Sequence, residues 1–407
     1  MLLPATGLQT DTSLGIAREC RALPHHGVVR LGRWPRKVER DMNSMVGVLA
    51  RVPFFQMDRH WGWPKLLPIN LTLTPSPRCN SRCQTCNIWK KRENELTLDE
   101  WDKILRSLGQ APYWFTISGG EPFLFKGVVE LCQMVYHYGR PGIINIPTNS
   151  LLSTIPDQVR RIAEACPQSQ LILNLSLDGV GEKHDAIRGV PGNFEKFERT
   201  LRILLDLRQS LPNLHVGIHT VVSVFNVEHL DEIMAYASRS GADQFITEIA
   251  EQRVELDTLN LPITPDATAY ARVADRLIEY VERQPYRSIS AITEAFRVKY
   301  YQLVKRVLVE QDQILPCYAG WASAQIYADG TVWPCCVRAD SLGNLRECDY
   351  DFSAIWFGEK TKSVRRSIAA KECHCPLANA AYTNMLHHLP TLVQVGTKVV
   401  LNRQGKA

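Results

Sequence analysis

Cys79-Asn-Ser-Arg-Cys83-Gln-Thr-Cys86 is a C-x3-C-x2-C group on a short polar loop. Asn80, Ser81, Arg82 and Gln84 offer nothing apolar in which three thiols could be buried, so cysteines at this spacing call for a metal. A structural zinc site ordinarily presents four ligands, often as two C-x2-C pairs, and this loop holds no fourth Cys or His. An iron–sulfur cluster held by three thiolates would keep one iron open to a substrate. Zinc or another structural metal is the alternative.

Outward from the loop, the chain reads as alternating strands and helices. Ile69–Thr74 is a run of β-formers ending at a Pro-Ser-Pro break, and Thr97-Leu-Asp-Glu100 is a capping box that starts a helix through about Leu108. Strands are expected at Tyr113–Ser118, Gly142–Ile146, Gln170–Ser176, Leu214–Val222 and Gln244–Glu248. Helices are expected at Gly127–Tyr138, Asp157–Ala165, from Phe194 behind an Asn193 cap, and at Val227–Ser240. Such alternation implies βαβ units and a parallel sheet, with ligands at the C-terminal strand ends. Two long amphipathic helices, near Asp266–Glu282 and Ser290–Glu310, follow as packing elements, and then a hairpin, Ser323–Tyr327 with Thr331–Trp333, turns at Asp329-Gly330.

The second expected strand ends in Ser118-Gly119-Gly120-Glu121-Pro122. Glycines at a strand end let backbone approach a ligand, and a carboxylate there can fix an ammonium group; an ordinary turn is the bland alternative. Together with the cysteine loop one βα unit earlier, Gly119, Gly120, Glu121 and Pro122 match the GGEP motif of the radical S-adenosylmethionine (SAM) superfamily, which the sequence resembles over about residues 67–250. The resemblance implies an α/β fold: a partial (β/α)6 barrel. It further implies a [4Fe–4S] cluster on Cys79, Cys83 and Cys86 whose open iron binds SAM, with the Gly-Gly-Glu-Pro segment on the SAM amino group. By similarity Asn149, Ser176, Asp178 and Arg188 are further SAM contacts, the last near its carboxylate. Thr85 stands where relatives often have an aromatic residue, so packing on adenine is expected from Ile88 or Trp89.

Cys317, followed by twelve residues, Gly330, four residues and Cys335, and later Cys373-His-Cys375, resembles the SPASM/twitch auxiliary-cluster domain. Cys317, Cys335, Cys373 and Cys375 would hold one auxiliary [4Fe–4S] cluster, with Cys336 as runner-up ligand and a zinc ribbon as the alternative. Cys348 reads as a packed thiol, Cys132 and Cys166 as buried small hydrophobes, and His374 as turned away from its neighbours' metal. The expected organisation is a basic, Trp-rich irregular leader over 1–65, the barrel over 66–255, a helical connector over 256–312, a small α+β twitch/SPASM-like domain over 313–380 and a tail over 381–407.

The 407 residues are 45% hydrophobic, enough for two or three domains with a sizeable core, which excludes disordered, collagenous and disulfide-miniprotein classes. The net charge of +5 is concentrated between Arg30 and Lys65, too little for a protein that wraps nucleic acid. No secretory signal or 20-residue apolar span is visible, so a cytoplasmic protein is expected.

The chemistry implied by the resemblance is reductive cleavage of SAM to a 5′-deoxyadenosyl radical that abstracts hydrogen from substrate, with an electron donor such as flavodoxin or ferredoxin. A small molecule (a sugar, aminocyclitol or natural-product intermediate) is the first expectation, because one-cluster twitch relatives include such oxidases. A peptide or protein side chain is the alternative. A lipid-linked substrate reached by peripheral membrane contact of the leader and Met385–Leu401, and a non-catalytic metal-stabilised binding protein, complete the set.

Overall fold

Side chains of a strand point alternately to its two faces, and burial alternates accordingly along Trp114–Gly119, Ile143–Thr148 and Gln244–Ile249. The computed structural model describes residues 44–283 and 289–404; Cys20, Trp34 and residues 1–43 of the leader lie outside the described residues. In chain order the elements are α1 (Met45–Trp61), β1 (Asn70–Ser76), α2 (Leu98–Leu108), β2 (Trp114–Gly119), α3 (Val128–Gly139), β3 (Ile143–Thr148), α4 (Ile155–Ala165) and β4 (Gln170–Ser176). Next come α5 (Glu182–Arg188), α6 (Asn193–Arg208), β5 (Leu214–Val222), α7 (Leu230–Arg239), β6 (Gln244–Ile249), α8 (Ala267–Arg283) and α9 (Ile289–Glu310). The chain continues through β7 (Ser323–Ile326), β8 (Thr331–Trp333), β9 (Gly343–Asn344), α10 (Phe352–Trp356), α11 (Glu359–Ala369), α12 (Ala378–Leu386) and α13 (Leu389–Gln404).

One sheet runs in the order β6-β5-β4-β3-β2-β1-β7-β8-β9. Strands β1 to β6 pair in parallel with their neighbours, and the order is linear, so the (β/α)6 barrel is open rather than closed. The expected C-terminal hairpin forms, but it does not stand apart. Strand β7 pairs in parallel with β1 from Asn70↔Ser323 to Leu73↔Ile326, and β8 and β9 follow antiparallel. Strand β1 would otherwise present a row of unpaired backbone groups on its outer side.

The core lies between the sheet and the helices, with Leu71, Leu73, Ile117, Ile144, Leu173 and Ile218 fully buried. The capping box forms as read: the Thr97 hydroxyl accepts from Glu100 N at 3.3 Å and Glu100 Oε2 accepts from Thr97 N at 2.8 Å. That glutamate also ties the barrel to the C-terminal region, accepting from Arg346 Nε at 2.6 Å and from the Tyr350 hydroxyl at 3.1 Å.

Two local readings are corrected. Residues 45–61 are a helix rather than irregular chain, capped by Ser44, whose hydroxyl accepts from Gly47 N, and ended by left-handed Gly62. Its buried stripe mixes Arg51 and Asp58 with Val48, Val52 and Phe55, which dilutes the apolar period. Val48 and Phe55 pack on Tyr318, Trp321 and Ile368 of the C-terminal region. Asn193 does not cap α6; it opens the helix, and the Asp185 carboxylate accepts from Gly192 N and Phe194 N at 2.6 and 2.7 Å instead.

Candidate functional site

The cysteine loop leaves the C-terminal end of β1 and lies against the end of β2. Gly120 is what permits this: a Cβ there would stand 2.1 Å from the Arg78 carbonyl oxygen, immediately before Cys79. Gly119 has φ of +115° and is equally crowded by the Ser76 carbonyl. Close approach is therefore required, but by the cysteine loop itself.

Each sulfur of the loop accepts from a nitrogen. Ser81 N points at Cys79 Sγ at 3.4 Å, Ile88 N at Cys86 Sγ at 3.5 Å, and Arg188 Nη1 at Cys83 Sγ at 3.4 Å. Burial pushes the Cys79 thiol up to about 11 and Cys86 up to about 12, so bare thiols would stay protonated in this setting. Bound metal reverses that preference, because ligation holds a thiol as thiolate. Three partly buried sulfurs facing N–H donors fit a cluster ligand set. Among the described residues no three His, Cys, Asp or Glu side chains meet the geometry of a single metal ion.

The residues expected to contact SAM surround this loop. The Glu121 carboxylate is buried and already engaged, accepting from Thr148 Oγ1 at 2.9 Å, Asn149 N at 2.7 Å and Phe123 N at 3.2 Å. Burial pushes its pKa up to about 7 against the pull of those donors. It joins the ends of β2 and β3. Pro122 opens the following single turn, Pro122–Leu124. Asn149 donates to Asn80 Oδ1 at 2.7 Å and Ser81 Oγ at 2.9 Å, so it braces the cysteine loop. Ser176 ends β4 opposite His219 of β5. Asp178 accepts from Val221 N at 2.9 Å and lies 3.2 Å from Arg188 Nε. Arg188 is thus occupied by Asp178 and Cys83. Burial opposes its charge, but those two neighbours hold its pKa above the ordinary arginine value. Ile88 is buried, and Trp89 lies under the Arg82 guanidinium at 4.4 Å.

Beyond β6 the site becomes strongly charged. His219 Nε2 lies 3.5 Å from Glu248 Oε1, and Arg253 Nη2 lies 3.6 Å from Glu248 Oε2 and 2.9 Å from Glu251 Oε1. Burial alone would raise Glu248, yet His219 and Arg253 hold it down at about 2; Glu251, more enclosed, is pushed up to about 7 by burial. Glu255 accepts from Gln325 of β7 and from Thr74 of β1. Of this group only Glu248 is reached from the sequence, as the last residue of the sixth expected strand. Four charges in the run from Glu248 to Glu255 at a strand end were the signal that could have found the rest.

The second cysteine group assembles as expected in part. Cys317, Cys335, Cys373 and Cys375 interact electrostatically with one another, and each accepts from nitrogen: Ala319 N and Asn384 for Cys317, Val337 N and Arg338 N for Cys335, Leu377 N for Cys375. Arg338 Nη1 donates to Cys373 Sγ at 3.6 Å. Cys336 is buried in the turn just beyond β8, with Arg253 and Glu255 among the charges around it, and packs with Leu377 and Ala380 beside Cys335 and Cys375. His374 turns to Gln311, and Cys132 and Cys166 are fully buried. Cys348 packs partly buried against the core but is disulfide-bonded rather than a free thiol. Helix α1 touches this group directly, since Arg59 Nε donates to the Cys317 carbonyl at 3.1 Å.

Among the described residues no helix is long and apolar enough to cross a membrane. The Radical SAM superfamily profile matches residues 73–237, and the SPASM profile, an iron–sulfur cluster-binding domain, matches residues 317–376. The sporulation killing factor maturation protein SkfB of Bacillus subtilis is 23% identical over 314 residues, covering 76% of this chain and 69% of SkfB. The mycofactocin maturase MftC of Mycobacterium tuberculosis is 29% identical over 222 residues, 53% of each chain, so this chain spans about half of that relative. Streptococcus suis SuiB superposes with a TM-score of 0.54 at 16% identity, covering 74% of this chain and 68% of SuiB.

Proposed function

The chain belongs to the radical SAM superfamily and carries a SPASM domain, and from that premise we propose that this enzyme modifies a peptide by abstracting hydrogen from one of its residues. The observation that carries the reading is the match to SkfB, named as a maturation protein, over a span longer than the barrel profile. MftC is likewise a maturase, and SuiB has been solved with its precursor peptide SuiA. The small-molecule substrate, expected from the number of available auxiliary-cluster cysteines, ranks behind it.

Cys79, Cys83 and Cys86 would hold a [4Fe–4S] cluster and Cys317, Cys335, Cys373 and Cys375 an auxiliary one. SAM bound at the reduced first cluster supplies radical hydrogen abstraction. The residues of the chain position and shield that chemistry. Glu121, Thr148 and Asn149 lock the strand ends to the cysteine loop, and Asn193 braces the Asn149 carbonyl at 3.1 Å. The Glu248, Glu251 and Arg253 group, between the two cysteine groups, would contact or orient the substrate. A one-electron donor such as a flavodoxin or ferredoxin completes the system.

The test is anaerobic reconstitution with iron and sulfide, followed by SAM, dithionite and deuterated candidate substrates. Transfer of deuterium from a short peptide encoded beside the gene into 5′-deoxyadenosine is the expected result. Label arriving only from a small molecule would overturn the peptide reading, and absence of 5′-deoxyadenosine would overturn the catalytic one.

A further inference from the structure

Both cysteine groups carry an arginine that is clamped by an aspartate and donates to one sulfur. At the first, Arg188 Nη1 is 3.4 Å from Cys83 Sγ and its Nε is 3.2 Å from Asp178 Oδ2. At the second, Arg338 Nη1 is 3.6 Å from Cys373 Sγ and its Nη2 is 2.6 Å from Asp340 Oδ2. The couples arise from unrelated segments, the last residue of α5 and the stretch after β8. Each is fixed from outside as well: Val221 N donates to Asp178, and Arg338 donates to Ser367 Oγ at 3.0 Å.

We infer that Arg188 and Arg338 are positioning residues that raise the electron affinity of the clusters held by the two cysteine groups. The inference rests on the proposed ligand sets. One electron from an external donor makes a cluster more negative by one charge, while no bond forms or breaks at either arginine and no proton leaves. A guanidinium donating to a ligand sulfur stabilises that added charge, and hydrogen bonds to sulfur are an established control on cluster potential. The aspartate reduces the net charge of each couple but meets a different nitrogen of the guanidinium, so an N–H still faces the sulfur. The Arg188 side chain is 12% exposed and that of Arg338 24%, so solvent weakens the second interaction more.

This assignment separates from a role for Arg188 on the SAM carboxylate, because it acts before SAM binds. The full chain is reconstituted as wild type, Arg188→Gln, Arg188→Lys and Arg338→Gln, with iron and sulfide counted first. Redox titration followed by electron paramagnetic resonance is then run without SAM, the first cluster being identified by the change of its signal when SAM is added afterwards. Arg188→Gln should lower the reduced-to-oxidised ratio of the first cluster about tenfold at a fixed potential, equivalent to 59 mV for a one-electron couple. Arg188→Lys should fall between, and Arg338→Gln should shift only the auxiliary cluster, by less. An unshifted midpoint in loaded Arg188→Gln, or weakened SAM binding with an unshifted SAM-free midpoint, overturns the inference. If Arg188→Gln takes up no iron, Arg188→Lys and Asp178→Asn decide, and unshifted midpoints in both overturn it. Failure of the wild type to load at Cys79, Cys83 and Cys86 would instead remove the ligand reading itself, and the inference with it.

Discussion

Replacing Gly120 with alanine tests the junction between the cysteine loop and the sheet. The added methyl would lie 2.1 Å from the Arg78 carbonyl oxygen, 2.5 Å from the Arg78 carbonyl carbon and 2.5 Å from the Pro77 carbonyl oxygen. All three are backbone atoms, so no side chain can swing away. Restoring a contact of roughly 3.2 Å requires the loop to retreat by about 1 Å. Glu121 N donates to that same Arg78 oxygen at 2.8 Å, so the retreat also weakens a backbone hydrogen bond. Cys79 follows Arg78 directly, and the displacement reaches the first ligand. Overpacking of this kind costs about 1–3 kcal/mol in stability. A displacement of ~1 Å at reacting groups costs on the order of 100-fold in rate. Gly120→Ala should therefore take up less iron and form 5′-deoxyadenosine roughly 100-fold more slowly than wild type. Gly396→Ala, where a Cβ meets nothing within 4 Å, serves as the control and should match wild type. Gly120→Ala with wild-type iron content and a turnover rate within about twofold would refute the reasoning.

Three further outcomes follow from the geometry. Arg346 holds the Glu100 carboxyl down at about 2, so their couple stabilises the fold above the ordinary carboxylate pKa and is lost as pH falls toward 2. Near the surface this is worth about 1–2 kcal/mol, and Arg346→Gln should flatten the acid limb of a stability–pH curve; identical limbs would exclude the couple. Phe55→Ala, emptying the fully buried contact between α1 and the C-terminal region, should cost about 3–5 kcal/mol in denaturant unfolding, whereas a loss below about 1 kcal/mol would mean that α1 does not dock as described. Cys336→Ala should keep about eight irons per reconstituted chain and Cys375→Ala about four; the reverse pattern would exchange their roles.

Strands β4 and β5 lie where the sequence predicts them, because buried apolar residues recur along each in a short run of β-formers. The cysteine spacing and Gly-Gly-Glu-Pro were legible for the opposite reason, being dense local patterns that ordinary packing does not produce. Helix α1 was not legible, since Arg51 and Asp58 occupy its buried face. The duties of Glu121 and Arg188 were hidden too: residue type announced a carboxylate and a guanidinium, but their partners come from other strands and loops. Arg338 had no local signature at all, its sulfur partner lying on the far side of α11.

Pairing β7 with β1 also orders the birth of the protein. The two strands are separated by about 250 residues of chain, so during synthesis β1 waits as an open edge until nearly everything else has emerged. The first cysteine loop, at the end of that strand, would therefore be most accessible to iron–sulfur delivery while the nascent chain is incomplete. A chain cut short before Ser323 would retain a sticky edge along β1, and loss of the C-terminal region should appear in the cell as aggregation before it appears as lost catalysis.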